Sequence, residues 1–83
     1  MRNKKQQITL IKIGDIISKH RIERGYSRLK LAIELNTDEK QIRRIENGEV
    51  NPTIITLLKV FYALKINIEV LDKIKIDDSF LED

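Results

Sequence analysis

The chain has 83 residues, 41% of them hydrophobic and 35% charged, with a formal net charge of +3. That length supports one domain with a modest core and leaves little room for a deep catalytic cleft. The sequence contains no cysteine and a single histidine, which excludes disulfides, thiolate metal sites and cysteine nucleophiles and leaves His20 as a core-edge or surface residue. No cofactor is expected. The basic stretch from Met1 to Gln7 is not followed by an apolar run long enough for a signal peptide or a membrane span, so a cytoplasmic location without a membrane partner is expected.

Charge is distributed unevenly. Residues 1–44 hold twelve Lys/Arg against five Asp/Glu, a net of +7, whereas residues 45–83 hold four against eight, a net of −4. A basic half suits a polyanion such as nucleic acid, because each phosphate neutralised releases condensed counterions. A lysine-rich solvated surface gives the same count, so position has to decide between the two.

Residues 1–8 read as a flexible basic arm. Leu10, Ile13, Ile16, Ile17 and Ile22 then recur at steps of three and four, predicting a helix over 10–24 with Thr9 as N-cap and Gly25 closing it. Gly14 within that pattern weakens the helix by about 1 kcal/mol relative to Ala. Ser27 can cap a second, two-turn helix from Arg28 to Leu35, whose Leu31, Ala32 and Leu35 share one face. After a tight turn at Asn36-Thr37, Asp38 caps a third helix over Glu39 to Asn47, with Gln41 placed to complete a capping box. In this helix Ile42 and Ile45 face one way and Lys40, Arg43, Arg44 and Asn47 the other, and Gly48 ends it. Thr53, entered through Pro52, caps a fourth helix over Ile54 to Leu64. Its apolar residues exceed what one core-facing stripe needs, which leaves a surface for a partner subunit.

Two short helices joined by a three- or four-residue turn, with a small residue such as Ala32 at their contact, form a helix-turn-helix. At these residues the chain resembles the phage-repressor-like (Cro/CI, XRE-type) helix-turn-helix regulators. The resemblance runs from about Ile13 to Asn67 and is carried by Ile17, Arg21, Gly25-Tyr26-Ser27, Leu31-Ala32, Leu35, Ile42, Ile45-Glu46-Asn47-Gly48, Asn51-Pro52-Thr53, Leu57-Leu58 and Ala63-Leu64. It implies an all-α, lambda-repressor-like bundle of four or five short helices, with the DNA-binding domain spanning 9–66. It further implies base-reading roles for Glu39, Lys40, Gln41 and Arg44, and places Arg43 and Asn47 on or beside phosphates. Arg28, where many relatives carry glutamine, is expected over the DNA backbone. Arg21 and Glu46 match a pair that in the family often forms a partly buried salt bridge. The side-chain chemistry agrees: Arg and Lys donate to guanine, Gln pairs with adenine, and Glu accepts from cytosine.

After Leu64, where most relatives have a small glycine, this chain has Lys65 and the alternating run Ile66, Ile68, Val70. Two readings of residues 67–76 are compatible with it: a dimerisation strand pairing across a two-fold, as in HipB-type antitoxins, or a fifth helix capped by Asn67, as in restriction-modification controllers and ordinary repressors. The strand is slightly favoured. Residues 77–83 form an acidic tail expected to be loose. The function expected is a homodimeric regulator, in the role of repressor, that inserts helix 39–47 into the major groove of double-stranded DNA at a pseudo-palindromic operator. The alternatives are an antitoxin that also binds a cognate toxin, or a restriction-modification controller. The pattern Ser27-x-x-Lys30 fits a serine acyl-enzyme motif, but its companion motifs are absent and Ser27 is accounted for as a cap, so no enzyme is expected.

Overall fold

The computed structural model describes residues 2–82. Among these, four α-helices, α1 (Lys4–Glu23), α2 (Arg28–Glu34), α3 (Glu39–Glu46) and α4 (Ile54–Leu64), are followed by two short 3₁₀ helices at Ile68–Lys73 and Asp78–Leu81. Ile17, Leu31, Ala32, Ile42, Ile45, Val60, Phe61, Leu64 and Ile66 form one buried core shared by all four helices. Ser27, Asp38 and Thr53 each accept from the backbone amide three residues on, which fixes the starts of α2, α3 and α4. Only half of the capping box expected on α3 forms: Asp38 accepts from the Gln41 amide at 2.7 Å, and the Gln41 side chain makes no return bond.

The helix ends share one device. Gly25, Asn36, Gly48 and Lys65 all adopt positive φ, and at each the following amide reaches back to the carbonyl five residues before it: Tyr26 to Arg21, Thr37 to Ala32, Glu49 to Arg44 and Ile66 to Phe61. These are Schellman closures, which satisfy orphan carbonyls and turn the chain sharply enough to stack short helices on one core. Lys65 therefore stands, at φ 55°, where a glycine would be unstrained.

The two ends of the chain depart from expectation. The flexible arm over 1–8 is absent over its described residues, because Asn3 and Gln6 form a complete capping box that starts α1 at Lys4; Met1 lies outside the described residues. Thr9 is consequently inside α1, its hydroxyl donating to the Lys5 carbonyl at 3.0 Å, and is no cap. Ile22, counted in the apolar stripe, is 64% exposed. The strand favoured over 67–76 does not form: Asn67 caps a 3₁₀ turn by accepting from the Glu69 amide, and Val70, Leu71 and Ile74 are half-buried while Ile68 is exposed. Burial here follows a helical spacing and not the two-residue alternation, because the Lys65 reversal folds the segment back onto the core instead of extending it. The acidic tail, loose in expectation, docks on the first turn of α1 over its described residues. The Asn3 amide donates to the carbonyls of Ser79, Phe80 and Glu82, and Gln6 Nε2 donates to the Phe80 carbonyl at 2.6 Å. Within the tail the Ser79 hydroxyl and amide both donate to Asp77, holding its carboxyl below the usual carboxylate range.

Gly14 lies against the end of α3. A Cβ on it would sit 2.2 Å from the Glu46 carbonyl oxygen and 2.7 Å from that of Ile45. Gly14→Ala is expected to destabilise the fold by about 1–3 kcal/mol in urea unfolding, overpacking outweighing the helix propensity gained. Lys65→Gly is expected to raise stability by up to about 1 kcal/mol in the same assay, by relief of the left-handed backbone.

Candidate nucleic-acid interface

Helix α3 has two faces. Ile42, Ile45 and Glu46 are buried, and Glu39, Lys40, Arg43, Arg44 and Asn47 are exposed, a continuous stripe at helical spacing, with Gln41 half-buried at its edge. Glu39 in the first turn and Arg43 and Arg44 in the last complement the helix dipole, so the charges that face outward also stabilise the helix that carries them. The Gln41 side-chain amide, with the capping box incomplete, makes no hydrogen bond among the described residues. The Asn47 amide instead donates to Glu49 at 3.1 Å.

Behind this stripe lies an ion-pair cluster. Glu46 is only 4% exposed. Arg21 donates to its carboxylate through Nε at 2.6 Å and Nη2 at 3.2 Å, and through Nη1 to the Tyr26 carbonyl at 2.9 Å. Arg28, expected over a phosphate, is drawn to the same carboxylate, its Nε 3.0 Å from Oε1. A buried carboxylate needs this pairing, and two guanidiniums on it fix three elements at once: α1 through Arg21, α2 through Arg28 and α3 through Glu46.

The C-terminal end of α3 is held from a second side, by residues that the sequence did not point to. The Gly48 carbonyl accepts from Gln7 Nε2 at 2.8 Å and Arg2 Nη1 at 3.2 Å, and the Glu49 carbonyl accepts from Arg2 Nη2 at 3.1 Å. A Cβ at Gly48 would lie 2.7 Å from the Ile11 side chain, so α1 also presses on this turn one helical turn beyond Gln7. The only sequence signal for this was Gly14, a helix-breaking residue kept inside a helical pattern. Arg2 and Gln7 carried none, since their partners lie more than forty residues away.

A helix-turn-helix family profile matches residues 17–71, and the chain belongs to this family. Among solved structures it is similar to the restriction-modification controller protein C.AhdI from Aeromonas hydrophila, at 28% identity and a TM-score of 0.69, the match covering 74% of this chain and 88% of that one. It is likewise similar to the controller protein C.Esp1396I, at 31% identity and a TM-score of 0.69 over 78% of this chain and 86% of the other. A third similar structure is the C.Esp1396I tetramer in complex with its natural 35 base-pair operator, at 31% identity, a TM-score of 0.68 and the same coverages. No curated protein sequence matches the chain.

Removing Arg21 takes two of the three hydrogen bonds from a buried charge. Arg21→Ala is expected to cost about 3 kcal/mol of stability in urea unfolding, with the helical circular-dichroism signal retained in the folded baseline.

Proposed function

We propose that this protein is a homodimeric transcriptional regulator that binds double-stranded DNA by inserting α3 into the major groove. The observation that carries this is the exposed stripe on α3, backed by buried Ile42 and Ile45 and locked at its end by Arg21 and Gln7. A short helix presented in this way, with α2 crossing behind it, is the geometry that reads base edges. Glu39, Lys40, Gln41 and Arg44 are assigned to bases, and Arg28, Arg43 and Asn47 to the phosphates that set register. The operator-bound tetramer of the similar controller protein supports the same role.

Dimerisation is assigned to the free face of α4. Ile54, Ile55, Leu58 and Tyr62, all at least 41% exposed, line one side of a helix whose opposite side, Val60, Phe61 and Leu64, is in the core. An apolar stripe of this kind on a small domain calls for a partner surface, and a second copy supplies a two-fold that matches a pseudo-palindromic site.

Among regulators, control of a restriction-modification system is favoured by the similar solved structures and by the turn at Ile68–Lys73. The antitoxin reading drew on a strand that is absent among the described residues, and a toxin partner has no other support.

Selection from random DNA is expected to return a pseudo-palindrome whose half-sites lie about one helical turn (~34 Å) apart. Recovery of no preferred sequence would sink the proposal. On a selected duplex, Gln41→Ala is expected to relax preference at one position of each half-site by about 1–3 kcal/mol, whereas Arg43→Ala weakens binding uniformly and lowers the salt slope. Leu58→Glu is expected to shift sedimentation from dimer to monomer; a wild-type chain that sediments as a monomer both free and on the duplex would remove the dimer.

A further inference from the structure

Arg21 and Arg28 share one carboxylate but are used differently. All three nitrogens of Arg21 are engaged within the protein, two on Glu46 and one on the Tyr26 carbonyl, and its side chain is 11% exposed. Arg28 gives only Nε to Glu46, its side chain is 35% exposed, and among the described residues Nη1 and Nη2 donate to nothing. The cluster holds two guanidiniums against one carboxylate, and the excess positive charge falls on the outer edge of Arg28. A guanidinium fastened at Nε can no longer swing freely, so its two terminal nitrogens keep the parallel, forked geometry that matches two oxygens of a phosphate.

From this arrangement we infer that Glu46 is a positioning residue for DNA binding. It holds Arg28 by Nε, so that Nη1 and Nη2 form a preset clamp for one backbone phosphodiester, while Arg21 braces the carboxylate and takes no part in the contact. The inference rests on the DNA-binding reading above and assigns the buried ion-pair cluster a part in affinity as well as in folding. It also accounts for arginine at position 28. A glutamine there would offer a single amide and no charge, and a lysine has one ammonium that cannot both bond Glu46 and present a fork.

The test uses the full chain on a duplex selected from random DNA, with binding measured across a range of salt. Arg28→Lys keeps the charge but not the tethered fork, and is expected to bind about tenfold more weakly with the salt slope retained. Arg28→Gln is expected to bind more weakly still and to lower the salt slope by about one for each phosphate that is no longer neutralised. A scan of single neutral methylphosphonate linkages is expected to find one step per half-site that weakens the wild type and leaves Arg28→Gln unchanged, which separates a backbone phosphodiester from free phosphate acting in solution. Glu46→Gln adds one unit of positive charge, so charge alone predicts tighter binding, whereas loss of the tether predicts weaker binding. Arg28→Lys within about twofold of wild type, an unchanged slope for Arg28→Gln, or folded Glu46→Gln binding as tightly as wild type would each overturn the inference. If Glu46→Gln does not fold, the two Arg28 variants decide alone. A wild type that binds no duplex overturns the DNA-binding reading itself, whereas a binding wild type with an indifferent Arg28 overturns only the clamp.

Discussion

The C-terminal end of α3 is the point on which the fold depends. An eight-residue helix is too short to persist alone, because the first turn must be fixed before any hydrogen bond rewards it. Its stability has to come from outside, and it comes from three directions. The Glu46 carboxylate is gripped by arginines from α1 and α2, the Gly48 and Glu49 carbonyls are taken up by Arg2 and Gln7, and Gly14 lets the α1 backbone come to rest on the Glu46 and Ile45 carbonyls. Fixing the inner face by polar bonds at one end and by Ile42 and Ile45 along its length leaves the outer face outside the core packing. Charge can therefore be concentrated there without cost to folding.

This arrangement explains why α1 is long. Twenty residues exceed what is needed to cover the core, whose α1 contribution is Ile17 with flanking support from Ile13 and Ile16. The extra turns before Leu10 extend along the turn after α3 and carry Gln7 to Gly48. The start of α1 is in turn held by its capping box and by the tail, whose carbonyls accept from Asn3 and Gln6. Both ends of the chain thus contribute to the placement of a helix in its middle.

The middle of the chain was legible in the sequence and the ends were not, for a physical reason. Between Ser27 and Leu64 each helix announces itself locally: a hydroxyl or carboxylate three residues ahead of the amide it accepts from, apolar residues at three and four, and Gly48 or Asn36 at the reversal. These signals act over a few residues and survive reading in one dimension. Asn3-Gln6 is a capping box of the same kind, but it stands before Lys4, Lys5 and Gln7, a run with no apolar periodicity to mark a helix. The stretch after Lys65 misleads because Ile66, Ile68 and Val70 alternate, while the left-handed Lys65 turns the chain before the alternation can be used. The Arg21–Glu46 match was visible, whereas the recruitment of Arg28 was not, since α2 and α3 must first cross before Arg28 and Glu46 meet.

Electrostatics and packing play separate parts in the interface. The net charge of the N-terminal half draws attention to nucleic acid, yet most of its cations do not lie on α3, and several are consumed by the fold. Arg2 and Arg24 donate to backbone carbonyls, Arg21 to Glu46, and Lys30 lies over the Tyr26 ring. Lys4, Lys12 and Lys19 stay exposed along α1, and the cations presented together with α3 are the short stripe of Lys40, Arg43 and Arg44 and the outer edge of Arg28. A scattered basic surface binds any polyanion alike. A few cations held in one rigid frame around Gln41 and Glu39 can instead fix the register of a duplex and let the uncharged and acidic side chains discriminate between bases. The value of burying Glu46 lies there: it converts part of a diffuse positive charge into a fixed direction.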